Sequence, residues 1–109
     1  MNMVNRIKAV IKNIVAGTSS FTDIGQITVP EGHNYSILEV NPLVASGCEV
    51  QIQVENDNIA EFPYYLVNLD TRRRIVNWTL SAGTTLYVKG INNDTSDHII
   101  GAEITLDDT

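Results

Sequence analysis

The sequence predicts an all-β protein, an antiparallel β-sandwich of about seven or eight strands with a jelly-roll-like arrangement. Apolar and polar residues alternate with a period of two along several segments, as in strands that have one buried and one wet face. Turn-forming stretches separate these segments at spacings of roughly 8 to 12 residues, which is typical of sandwiches and barrels. The 109 residues are enough for one domain with one core.

Six segments carry the strand signal after the N-terminal region. They are QITV (26–29), YSILEV (35–40), CEVQIQVE (48–55), RIVNWTL (74–80), TLYVKGI (85–91) and HIIGAEITL (98–106). The alternation predicts inward-facing residues in three of them: Cys48, Val50, Ile52 and Val54; Val76, Trp78 and Leu80; Ile100, Ala102, Ile104 and Leu106. Turns are predicted at PEG (30–32), NP (41–42), ENDN (55–58), LDTRR (69–73), SAGT (81–84) and NNDTSD (92–97).

Residues 1–16 form a basic N-terminal strand or arm, and residues 17–109 form a single β-sandwich domain. The apolar residues of the first segment, at positions 4, 7, 10, 11, 14 and 15, also fit one face of a helix. Most of them are β-branched, which favours a strand in an otherwise all-β chain. The helix stays open as the alternative.

The stretch IAEFPYYLVNL (59–69) is apolar on both faces of a predicted strand. A sandwich strand of this kind needs a cover outside its own core, either another subunit or a loop of the same chain. Pro63 indicates that the strand begins there or lies at a sheet edge. The predicted oligomer interface consists of Tyr64, Tyr65, Val67 and Leu69.

Charge is unevenly distributed along this chain of net charge −6. Residues 1–16 hold three basic residues and no acidic ones, giving +3, and the remainder holds four basic and thirteen acidic residues, giving −9. The acidic balance argues against general nucleic-acid binding and leaves docking onto an acidic protein surface, or a merely solvated turn around residue 72, as interpretations. The residues predicted to bind a partner are Arg6, Lys8, Lys12, Arg72, Arg73 and Arg74.

No catalytic, cofactor-binding or metal-binding residues are predicted. His33 and His98 read as solvated or strand-end histidines, and Cys48 as a small buried apolar residue rather than a nucleophile. The oxygen-rich loop at 92–97 has donors of the kind that hold calcium, but it lacks the EF-hand order and is better explained as a polar hairpin loop. The sequence shows no signal peptide and no run of the roughly 20 apolar residues that a membrane span requires, so a soluble protein is expected.

Three stretches together resemble the small β-sandwich or jelly-roll proteins that decorate the capsids of tailed bacteriophages. They are GQITVPEGHNYSILEV, the C-terminal run NWTLSAGTTLYVKGINNDTSDHIIGAEITLDDT and the basic N-terminal arm. The resemblance implies a non-enzymatic structural protein that is made in the host cytoplasm and reinforces the capsid lattice on the virion. It also implies a homo-oligomer, often a trimer, with the major capsid protein or another virion protein as partner. The alternative is a carbohydrate- or other ligand-binding β-sandwich module, for which Tyr87 is the best candidate for an exposed aromatic ring.

Overall fold

All regular elements in the part of the chain described by this computed structural model, residues 4–55, 57–63 and 74–109, are β-strands. These ranges contain eight strands: β1 (Val4–Ile14), β2 (Thr18–Thr28), β3 (Tyr35–Leu43), β4 (Cys48–Val54), β5 (Asp57–Pro63), β6 (Arg74–Leu80), β7 (Thr85–Asn92) and β8 (His98–Asp108). The predicted all-β class is confirmed. Among the described residues there is no helix long and apolar enough to cross a membrane.

The strands form two four-stranded antiparallel sheets that face each other. The β1 sheet has the order β1-β8-β3-β6, and the β2 sheet has the order β2-β7-β4-β5. Strand β1 pairs with β8, β2 with β7, β3 with β6 and β4 with β5. The chain therefore follows one long hairpin whose tip lies between β4 and β5. This hairpin is wrapped into a sandwich, which is the arrangement of a jelly roll.

One apolar core fills the space between the sheets. Val40, Ile100 and Ile104 of the β1 sheet and Val50 and Val88 of the β2 sheet are fully buried within it. The inward faces predicted for β4 and β8 are confirmed, with Val54 only partly buried at the end of its strand. In β6, Leu80 is buried and Trp78 packs against the core while keeping part of its surface exposed.

The ambiguous N-terminal segment is a strand, as favoured, and not a helix. It pairs with β8 without interruption from Val4 opposite Asp108 to Ile14 opposite His98. The pairing of β8 with β3 also continues one residue beyond the strands, because Asn34 and Thr109 exchange backbone hydrogen bonds of 2.9 Å each. The basic N-terminal segment is thus built into the β1 sheet along its whole described length.

Three boundary predictions are wrong. The turn predicted at Asn41–Pro42 is part of β3, where Pro42 is buried opposite Ala102. The described pairing of β3 with β6 extends only to Val40, so at Pro42 the strand has one described neighbour, β8. Proline, which lacks an N–H donor, is tolerated better there than between two paired strands.

The other two corrections concern β2 and β5. Strand β2 begins at Thr18 rather than near residue 26, and its first half escaped recognition because residues 19–23 are exposed and lack a buried phase. Strand β5 ends at Pro63 instead of beginning there, although Pro63 does lie on an edge strand as predicted.

Candidate functional site

The first strand, β1, is an edge strand whose two faces carry different chemistry. Residues opposite each other in an antiparallel pair point to the same face of the sheet. Lys8 lies opposite the buried Ile104, so the even-numbered residues of β1 share the face that looks toward the core. The odd-numbered residues, from Ile7 to Asn13, share the outer face.

The outer face of β1 carries an exposed apolar row, defined here as Ile7, Ala9 and Ile11 together with Ile99 of β8. Exposure reaches 69% for Ile7, 48% for Ile11 and 66% for Ile99. Ile99 lies opposite Asn13, next to the end of the row on β1. Farther from the edge the same face becomes polar, with Glu103 opposite Ala9 and accepting a 3.4 Å hydrogen bond from the Asn41 side chain. Polar-rimmed apolar patches are common on surfaces that bind other molecules, so this face is a candidate functional site.

The other face of β1 carries the basic row, defined as Arg6, Lys8 and Lys12. These are three of the residues predicted from sequence to bind a partner, and the structure brings them together on one face. Arg6 is about half exposed and lies 3.4 Å from the buried carboxylate of Asp108. Lys8 Nζ lies 5.9 Å from the centre of the buried Tyr35 ring, and Lys12 is exposed. Arg6 and Lys12 are therefore both exposed, whereas Lys8 is half-buried.

The basic row and the apolar row together form what we call the β1 surface. The other predicted partner residues are not part of it. Arg74 begins β6, which is the opposite edge strand of the same sheet. Strands β8 and β3 lie between β6 and β1. Arg72, Arg73 and the predicted interface residues Tyr64, Tyr65, Val67 and Leu69 lie outside the described residues.

The β2 sheet presents a second, more polar surface. Tyr87 of β7 lies between Gln26 of β2 and Gln53 of β4 in one cross-strand row. The tyrosine is partly exposed, and Lys89 Nζ lies 5.9 Å from the centre of its ring. The predicted outer-face position of Tyr87 is thus confirmed, and two side-chain amides flank it.

Both histidines hold acidic side chains at strand ends. His33 Nδ1 lies 2.6 Å from Asp108 Oδ1, and His98 Nε2 lies 2.6 Å from Asp94 Oδ2. Two hydrogen bonds lower the pKa of Asp94 below its usual 3.8. The bond from His98 has the larger effect, and the bond from the Thr95 backbone has the next largest. Each histidine contact therefore connects a loop to β8: the loop containing His33 to Asp108, and the loop containing Asp94 to His98.

Cys48 is buried, and desolvation raises the pKa of its thiol above its usual value. A raised pKa keeps the thiol protonated at neutral pH and disfavours nucleophilic chemistry. Its sulfur also lies 3.8 Å from the backbone oxygen of Ser46. The side chain packs in the core, as the sequence indicates.

The oxygen-rich loop after β7 uses its donors and acceptors within the fold. Asn92 is buried and donates to the carbonyls of Ile14 and Ser96, while Asp97 accepts a 2.8 Å hydrogen bond from the Ala16 backbone. Asp94 accepts from Thr95 as well as contacting His98. Across the described residues, no group of three or more histidine, cysteine or carboxylate side chains has the geometry to hold a metal ion.

Comparison of the chain with models of protein families, with curated proteins and with solved structures finds no significant match. The fold and the β1 surface are therefore the features of the molecule that bear on its function.

Proposed function

We propose that this chain is a non-enzymatic structural protein, a viral capsid decoration or auxiliary head protein that binds and reinforces a capsid lattice through its β1 surface. The observation that carries the proposal is the apolar row, exposed on the edge strand of a sandwich whose core is otherwise well buried. In this proposal the partner is the major capsid protein or another virion protein. The protein is made in the host cytoplasm and resides on the capsid surface as a homo-oligomer, with a trimer as the form implied by the resemblance.

The energetics of the apolar row support docking onto a protein surface. Fully burying an isoleucine side chain stabilises by about 1.5–3 kcal/mol, so covering the exposed parts of Ile7, Ile11 and Ile99 would contribute about 3–5 kcal/mol. Lys12 and its neighbours in the basic row add selectivity for an acidic partner and speed its approach. The jelly-roll arrangement occurs in viral capsid proteins, although a fold alone does not define a function.

Co-sedimentation with phage particles tests the proposal. The purified chain is mixed with empty and full capsids of the phage whose genome encodes it, pelleted, and located on the particles by imaging. The variant I7T/I11T removes apolar surface while retaining β-branched residues, and it should weaken binding about tenfold or more. The control F21T removes a large apolar side chain of β2 that is 36% exposed and does not belong to the β1 surface, and it should bind as the parent chain does.

Two results would contradict the proposal: no association of the parent chain with particles, or equal association of the parent and I7T/I11T. A coding sequence beside a major capsid gene would favour it before any protein is made.

A second candidate function, carbohydrate binding, is favoured by the row that contains Tyr87. Sugars stack on exposed aromatic rings and hydrogen-bond to amide groups, both of which this row supplies with Gln26 and Gln53. Retention of the isolated protein on a glycan array, lost in Y87A and kept in Y87F, would favour this function. If the parent chain is not retained on the array, carbohydrate binding is excluded as a function.

A further inference from the structure

We infer that β1 binds its partner by strand addition, taking up an extended segment that alternates acidic and apolar residues and becomes a fifth strand of the β1 sheet. The inference rests on the proposed function only in treating the β1 surface as the docking site, and it specifies how that surface binds and what it recognises.

The backbone of β1 is the most regular edge among the described strands. Four strands form sheet edges: β1 and β6 in one sheet, β2 and β5 in the other. Register shifts interrupt the pairing of β2, of β5 and of β6 with their neighbours, whereas β1 pairs with β8 through eleven successive residue pairs without a shift. Irregularities twist an edge away from further pairing, and a long regular edge presents a row of free backbone N–H and C=O groups.

The length of this edge suits a peptide strand. Eleven residues at about 3.4 Å each extend about 37 Å, which is most of the 48 Å long axis of the molecule. Recognition by strand addition takes affinity from backbone hydrogen bonds and specificity from alternate side chains.

Side chains of β1 specify what the added strand should contain. A residue paired with β1 points to the same face as its partner. Alternate residues of the new strand would therefore lie beside the apolar row, and the residues between them would lie beside Arg6, Lys8 and Lys12. Glu103, opposite Ala9, shares the outer face with the apolar row and disfavours acidic residues there. The matching strand carries apolar residues on the outer face and acidic residues on the other.

The same rows disfavour a second copy of β1 as the occupant. Any antiparallel register that brings the apolar rows of two copies together also brings their basic rows together. If Ile7 of one copy were opposite Ile11 of the other, Arg6 would be opposite Lys12. Like charges directly opposite each other destabilise a strand pair, so the partner strand must carry acidic residues where β1 carries basic ones.

Peptide binding tests the inference on the full-length chain. The probe is a fluorescein-labelled peptide as long as β1 in which glutamate alternates with valine, and binding is followed by fluorescence anisotropy. A control peptide has lysine in place of glutamate. Two further peptides carry N-methyl groups on every glutamate or on every valine, because each set removes the N–H donors from one edge of the strand.

We expect the glutamate peptide to bind and the lysine peptide to bind about tenfold more weakly or not at all. One of the two N-methylated peptides should lose binding. Equal binding of all peptides, or undiminished binding of both N-methylated peptides, would overturn strand addition, since charge or apolar contact alone would then explain the association.

Charge-reversal variants locate the site on β1. K12E should weaken the glutamate peptide about tenfold, while K89E, the same change on the β2 sheet, should leave its affinity unchanged. The double variant K8E/K12E should reverse the preference and bind the lysine peptide. Circular dichroism establishes that each variant is folded, and K12E alone keeps the test valid if loss of the Lys8 contact with Tyr35 unfolds the double variant.

Failure of this inference differs from failure of the proposed function. If the peptides do not bind but I7T/I11T still loses capsid binding, the β1 surface docks without strand addition. If light scattering instead finds a dimer that I7T/I11T dissolves, β1 binds a second copy and the acidic segment is excluded.

Discussion

Replacement of Gly101 by alanine should detach β1 from the rest of the sheet. Gly101 lies in β8 opposite Ile11, with a positive φ of 155°. A Cβ atom placed there would overlap the carbonyl oxygen of Val10 and lie 2.8 Å from Ile11 Cα. Both atoms are backbone of the neighbouring strand, so no side-chain rotation relieves the overlap. The strand itself must move.

The expected loss of unfolding free energy combines two effects. Overpacking in a well-packed region costs about 1–3 kcal/mol, and a backbone conformation unfavourable to residues with a Cβ costs about 1–3 kcal/mol more. The sum of about 2–6 kcal/mol is a large part of the stability of about 5–15 kcal/mol typical of a domain. Because β1 has β8 as its one sheet neighbour among the described strands, much of the strain should be relieved by local separation of β1 from β8.

Gly83 provides a matched control. Its φ is +87°, but a Cβ atom there would meet nothing within 4 Å. G83A should therefore lose only the conformational contribution, about 1–2 kcal/mol. Urea unfolding followed by the fluorescence of Trp78 measures both variants. Hydrogen exchange should show β1 amides deprotected in G101A while those of β4 and β7 stay protected. Equal urea midpoints for G101A and G83A would refute the close β1–β8 approach.

Three further outcomes are expected. D108N should lower the unfolding free energy by about 1–3 kcal/mol, because the variant lacks the buried carboxylate that Arg6 and the His33 ring contact, while D107N should change it little; urea titration compares them. The hydrogen bond from His98 lowers the pKa of Asp94 in the folded state, so the native chain should be more stable than D94N above pH 3.8. This difference in stability should vanish as the pH falls through the lowered folded-state pKa of Asp94. Cys48 should react slowly with a disulfide reagent in the native state and rapidly in urea.

The strand pattern was predictable wherever one face is buried and the other wet. Strands β4 and β8 alternate along their length, and the residues predicted to face inward are the ones that fill the core. The turn signal at Asn41–Pro42 misled because local composition does not reveal which neighbours a strand has. The described pairing of β6 with β3 ends at Val40, before Pro42, and a position with one described neighbour tolerates proline better than a central one.

The basic row of the candidate site could be predicted from the sequence, whereas the apolar row was not. Sequence analysis identifies the basic residues of β1, which stand out by charge, but misses Ile7 and Ile11. Their spacing with Val10 and Ile14 fits a helical face and a strand equally well, and the deciding contact is with β8, at the other end of the chain. Given a strand, a period of two places Ile7 and Ile11 opposite to Val10 and Ile14. Residues 64–69 were interpreted as an interface because apolar residues lie on both faces of the predicted strand. The same criterion, applied to β1, predicts the apolar row as well.

The charges on β1 admit a simpler interpretation, that they only protect an exposed edge from aggregation. Lysine and inward-pointing charges on edge strands do serve that purpose. Protection alone, however, leaves the apolar row unexplained, since an edge kept free of partners gains nothing from isoleucines that are 69% and 48% exposed beside it. The two rows are consistent with each other when the strand has one kind of partner. The apolar row would then supply affinity for an extended apolar segment, and the basic row would disfavour pairing with a second copy of β1 while admitting an acidic strand. Protection from β1–β1 pairing and recognition of a partner are then two consequences of the same three charges, Arg6, Lys8 and Lys12.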